Sequence, residues 1–105
     1  MNILVNSDKN INVSDAYIAK ISGNISEALS RFSDNITRIE VFLADENSER
    51  KGSDDKRCTI EVREKGAAPE AVTSTADDID LAIKQATDKV FQLLWNRADK
   101  AKNHS

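Results

Sequence analysis

The stretch "NILVN" (2–6) sets Ile3 and Val5 on one side of a short strand. Ser14 then offers a hydroxyl to the free amides of a first helical turn, and Asp15 suits the positive end of the helix dipole. From there Tyr17, Ile21, Ile25, Ala28 and Phe32 recur at steps of three and four, the signature of one buried helix face. Gly23 interrupts this helix; either a close approach to a sheet beneath it or a bend would account for a residue without a side chain there. "SDN" (33–35) ends the helix. "ITRIEVFLA" (36–44) alternates, with Ile39, Val41 and Leu43 facing one way and Arg38, Glu40 and Phe42 the other, which is a half-buried strand.

The segment 45–57, "DENSERKGSDDKR", offers no core residue and carries five acids against four bases, so it reads as a solvated loop between strands. "CTIEVREK" (58–65) resumes the alternation, with Cys58, Ile60 and Val62 inward and Thr59, Glu61 and Arg63 outward. The outward Arg38, Glu40, Glu61 and Arg63 are expected to pair across the two strands. "GAAP" (66–69) is a turn, and "EAVTSTA" (70–76) a weaker strand carried by Val72 and two threonines. Asp77 is the expected cap of a last helix, with Asp78 and Asp80 in its first turn. Ile79, Ala82, Ile83, Ala86, Val90, Leu93 and Leu94 form its apolar stripe, running to about Lys100.

The order strand, helix, three strands, helix predicts an α+β fold. The three consecutive strands run antiparallel, and the first, returning from a helix, pairs in parallel. One apolar stripe per helix and one apolar face per strand predict a two-layer sandwich: a four-stranded mixed sheet with both helices on one face. Residues 1–102 are expected to form a single domain, followed by a short disordered tail at 103–105.

The stretches "NINVSDAY" (10–17), "ITRIEVFL" (36–43), "CTIEV" (58–62) and above all "DIDLAIKQATDKVFQLL" (78–94) resemble the ribosome hibernation-promoting factor family, also described as ribosome-associated inhibitors or sigma-54 modulation proteins. Asp78, Ala82, Ile83, Asp88, Lys89 and Leu93 stand where the last helix of that family has its pattern. The resemblance, over about 90 residues, implies a β-α-β-β-β-α domain that binds the small ribosomal subunit, its 16S rRNA and ribosomal proteins, in the decoding region. It implies steric blocking of mRNA and tRNA, preservation of idle ribosomes under stress or in stationary phase, a cytoplasmic location and no catalysis. It also implies a short form, without a dimerisation domain. The chain departs from the family at Asn24, Glu27, Gln92 and Asn96, where bases are expected, and at Ala28, where leucine is.

Composition sharpens where a grip on RNA would lie. The 105-residue chain has a net charge of −3, so only local segregation of charge would bind RNA. Residues 14–32 hold Lys20 and Arg31 against Asp15 and Glu27, a net of zero, whereas residues 89–102 carry a net of +3 from Lys89, Arg97, Lys100 and Lys102 against Asp99. The last helix is therefore the expected anchor, with Lys84, Lys20 and Arg31 as further phosphate contacts. On a helical wheel Lys89 and Lys100 share one flank within about 20°, and Lys84 and Lys102 the other. Phe91 and Trp95, four apart on the Lys84 flank, either extend the core over the sheet edge or form an exposed pair that stacks on a base or seats a protein. The second of these choices defines an alternative function, a diverged domain that acts as a protein-interaction module without the ribosome.

Other chemistry is thin. The single Cys58 precludes an internal disulfide and reads as a buried, inert thiol, and His104 stands next to the last residue. The acids at 77, 78 and 80 are explained by helix capping, and no Gly-rich phosphate loop or metal-ligand spacing is present. No catalytic residue, metal, cofactor or small-molecule substrate is expected. The N-terminus lacks a secretion signal and no apolar run approaches the length of a membrane span, so no membrane partner is expected and the three N-x-S/T sequons at Asn12, Asn24 and Asn35 read as chance. Arg50, Lys51, Lys56 and Arg57 form a second basic cluster, too diluted by acids to be given a partner.

Overall fold

The computed structural model describes residues 1–46 and 55–103, with side chains described to Lys100. The elements are β1 (Asn2–Ser7), α1 (Asp15–Ala28), a 3-10 turn (Ser30–Phe32), β2 (Ile36–Asp45), β3 (Lys56–Glu64), β4 (Glu70–Ala76) and α2 (Ile79–Asn103). The strands lie in the order β1-β2-β3-β4. β1 runs parallel to β2, as a strand returning through a helix must, and the remaining pairs are antiparallel. This is the expected α+β arrangement of one mixed sheet and two helices.

Register turns the alternation into a core. Ile3, Ile39 and Val62 form one inward row, and Val5, Val41, Ile60 and Val72 the next. Ile39, Val41, Ile60 and Val62 are fully buried. Over them α2 lays Ala82, Ala86, Val90 and Leu94, and α1 lays Ile21 and Ile25. Each fully buried Val, Leu or Ile among them stabilises the fold by about 1.5–3 kcal/mol through burial.

The α1 stripe differs from its expected form at its end. Ala28 is exposed, and its neighbour Leu29 is fully buried. Leu29 donates to the Ile25 carbonyl at 3.0 Å, completing the step of four, and Phe32 then donates to the Leu29 carbonyl at 3.0 Å, a tighter step of three. That switch delivers both Leu29 and Phe32 to the core. Gly23 is exposed, with nothing within 4 Å of where a Cβ would stand, so the close-approach reading fails. Gly23→Ala is therefore expected to raise stability by about 1 kcal/mol, measured by urea unfolding.

Three local expectations are corrected. Asp78, rather than Asp77, caps α2: its Oδ1 accepts from the Asp80 amide at 3.1 Å and its carbonyl from Ala82 at 3.0 Å. Lys56 and Arg57, expected in a loop, belong to β3, and Asp55 beside them is buried. Lys56 pairs with Asp45 (3.3 Å) and Asp55 (3.1 Å), and Arg57 pairs with Glu46, so the charges close the hairpin instead of opening it. Arg50 and Lys51 lie outside the described residues. On the open sheet face, Arg38 stands opposite Arg63 and Glu40 opposite Glu61. An R-x-E run on one strand meets E-x-R on its antiparallel neighbour, so like faces like, and the ion pairs form along each strand: Arg38–Glu40 at 3.0 Å and Arg63–Glu61 at 3.3 Å. Gly66 adopts φ +75° in the β3–β4 turn, a conformation that favours glycine.

Cys58 is wholly buried, as expected, and burial pushes its thiol from 9.0 up to about 12. Below pH 9 the thiol is protonated whether the chain is folded or not. Above that the unfolded chain gains a thiolate that the core refuses, so stability is lost as pH rises from 9 towards 12, by up to about 1.4 kcal/mol per unit. Urea midpoints measured between pH 8 and 11, compared with Cys58→Ala, check this slope.

Candidate nucleic-acid interface

The helices lie side by side and leave between them a groove of about 460 Å³. Its floor is apolar, from Ile21, Ile25 and Ile83, and its banks carry Lys20 from α1 and Lys84, Asp80 and Asp88 from α2. Tyr17 ties the two helices together by donating its hydroxyl to Asp80. Burial first, then the hydrogen bond and charge of Asp80 and the charge of Asp78, push the Tyr17 phenol above its usual range, so it stays a donor.

The expected cations do not share one surface. Lys84 stands 3.9 Å from Asp88 with both side chains about three-quarters exposed, a contact that exchanges for another anion at little cost. Lys89, on the other flank, donates to the Thr73 carbonyl at 2.7 Å and so covers part of the β4 edge. Arg97 bonds Glu64 at 2.7 Å and also Glu70, joining α2 to the β3–β4 hairpin. The Glu64 bond and the two carboxylate charges raise its already high pKa, so its charge is permanent and already satisfied. Lys100 is exposed near the end of α2, and the side chain of Lys102 lies outside the described residues. Lys20 is exposed on the groove bank opposite Lys84.

Phe91 and Trp95 divide the two readings between them. Phe91 packs against the core, edge-on to Phe32 with centroids 5.3 Å apart. Trp95 lies nearly parallel to Phe91, 6.1 Å away, and is 43% exposed. Arg31 places its guanidinium 4.6 Å above the Trp95 ring. A pocket of about 470 Å³ opens beside this stack, lined also by Asp34, Asn35 and Asp99. Sequence reading named Arg31 and Trp95 separately but missed their contact and these polar neighbours. The acidic pair gave no signal, because Asp34 read as a helix stop and Asp99 as a charge to be subtracted.

No group of three or more His, Cys, Asp or Glu side chains that could hold a metal occurs among the described residues, and no helix there is long and apolar enough to cross a membrane. The fold that holds this groove is a four-stranded mixed sheet under two helices, in the order β-α-β-β-β-α. The profile of the family described as Sigma 54 modulation protein / S30EA ribosomal protein matches residues 4–102, and the chain belongs to that family. Several solved structures share the fold, two of which illustrate the likeness. The Thermus thermophilus Protein Y N-terminal domain is similar with a TM-score of 0.67 at 22% identity, covering 86% of this chain and 91% of that one. A ribosomal subunit interface protein from Coxiella burnetii is similar with a TM-score of 0.66 at 19% identity, covering 93% and 99%. No curated protein matches the chain at a significant level. Family and fold are thus those of ribosome-associated hibernation and interface factors.

Proposed function

We propose that this protein is a translation inhibitor of the hibernation type, which binds the small ribosomal subunit at the decoding region and excludes mRNA and tRNA by occupying their space. The family match along residues 4–102 carries the reading. The geometry supports it with a compact two-layer body whose helices are tied by Tyr17 and Asp80, a shape suited to a plug. Lys20 and Lys84 are the principal phosphate contacts in this reading, with Lys100 and Lys102 at the far end, whereas Arg31 is layered on Trp95. Lys89 and Arg97, both engaged within the domain, contribute less. Residues 1–102 act as one unit, in the cytoplasm, where idle ribosomes accumulate under stress and in stationary phase.

Co-sedimentation with vacant ribosomes and separated subunits tests the proposal. Binding is expected on the small subunit, and four or so phosphate contacts predict an affinity loss on the order of 100-fold between about 50 and 200 mM salt. Absence of binding at low salt would overturn it in favour of a protein-interaction module, and salt-insensitive binding would replace phosphate contact by contact with ribosomal proteins.

A further inference from the structure

We infer that the pocket beside Trp95 seats a single unpaired nucleobase, guanine in preference to the others. Phe32, Phe91 and Trp95 form a cluster of rings rooted in the core, and the Arg31 guanidinium closes it, 4.6 Å above the indole and 6.0 Å from the Phe32 ring. A guanidinium already layered on an indole continues a stack with any flat, electron-rich ring placed beside it. The adjoining pocket of about 470 Å³ gives that ring room, and its rim is polar: Asp34, Asn35 and Asp99. Carboxylates only accept hydrogen bonds. Among the four RNA bases, guanine alone presents two adjacent donors, its ring N1–H and its exocyclic amine, on one edge, which a carboxylate accepts side by side. Among the described residues neither Asp34 nor Asp99 forms an ion pair, so their oxygens remain available.

The charges of the pocket also exclude a phosphate. Two carboxylates outweigh one guanidinium, so phosphate contacts belong to the exposed lysines of the helices rather than to this pocket. A neutral base meets no such obstacle. The inference rests on the proposed function for the source of the base, a single-stranded RNA segment, but the binding itself is measurable without ribosomes.

Trp95 is the only tryptophan, so its fluorescence reports on the pocket alone. The full chain would be titrated with the pentaribonucleotides UUGUU, UUAUU and UUUUU and with guanosine monophosphate. UUGUU is expected to quench Trp95 saturably and to bind about tenfold more tightly than UUAUU. Asp34→Asn/Asp99→Asn is expected to abolish that preference while stacking persists, and Arg31→Ala to weaken every base alike. Tighter binding of UUGUU than of guanosine monophosphate identifies a strand as the source, and the reverse a free nucleotide. Quenching that is absent for all four, or equal for all bases and unchanged in the Asp34→Asn/Asp99→Asn variant, overturns the inference. Ribosome co-sedimentation run in parallel separates the two readings: binding to ribosomes without guanine quenching sinks only the base seat, and guanine quenching without ribosome binding sinks only the proposed function.

Discussion

Leu29→Ala is expected to lower the unfolding free energy by about 3 kcal/mol, while Ala28→Ser, one residue earlier, changes it by less than about 0.5 kcal/mol. Leu29 is fully buried and Ala28 exposed, so truncating the first leaves a cavity and altering the second touches only solvent. For a domain of about this size the first loss lowers the melting temperature by more than about 10 °C. Because Leu29 stands where α1 gives way to the 3-10 turn, its removal also loosens the seat of Phe32 and hence of the ring cluster around Trp95. Urea unfolding of both variants decides the matter: equal effects, or a larger one at Ala28, would return the stripe to its simple helical form and remove the structural role of the turn.

What could be read from the residues alone follows from how local each signal is. β4 is found at 70–76, where Val72 and the threonines placed it, and the inward rows of β2 and β3 are those of the alternation. Such patterns depend only on near neighbours along the chain. Most of the failures involve a partner distant in sequence. Nothing near Arg97 announces that Glu64 and Glu70 will hold it, and nothing near Lys89 points to the Thr73 carbonyl. The sheet-face charges were legible as outward, but their partners were not, because the register that sets Arg38 opposite Arg63 includes an irregularity between Ile36 and Arg38. Likewise Lys56 and Arg57 look like loop residues until Asp45 and Glu46 come alongside. Ser14 caps α1 as expected, and the cap of α2 differs for a more local reason: two adjacent aspartates are equally able to cap it, and the backbone selects Asp78.

These engagements change which cations matter for the ribosome. Net charge along α2 favours its second half, but a lysine already donating a 2.7 Å hydrogen bond to a carbonyl must break it before meeting a phosphate. Lys84 gives up only a 3.9 Å contact between two exposed groups, and Lys20 stands exposed on the opposite bank of the same groove. Lys20→Glu/Lys84→Glu is therefore expected to weaken small-subunit binding by at least about tenfold, more than Lys89→Glu/Lys100→Glu does, and to flatten the salt dependence by about two phosphate contacts. Both variants leave the core untouched, so both should fold, with unfolding midpoints near that of the parent chain. Co-sedimentation across a salt series distinguishes the outcomes. A larger loss in Lys89→Glu/Lys100→Glu would move the anchor to the far flank of α2 and make the Thr73 contact a state the ribosome displaces. A loss in neither, with binding intact, would leave shape and the pocket beside Trp95 as the main hold on the subunit.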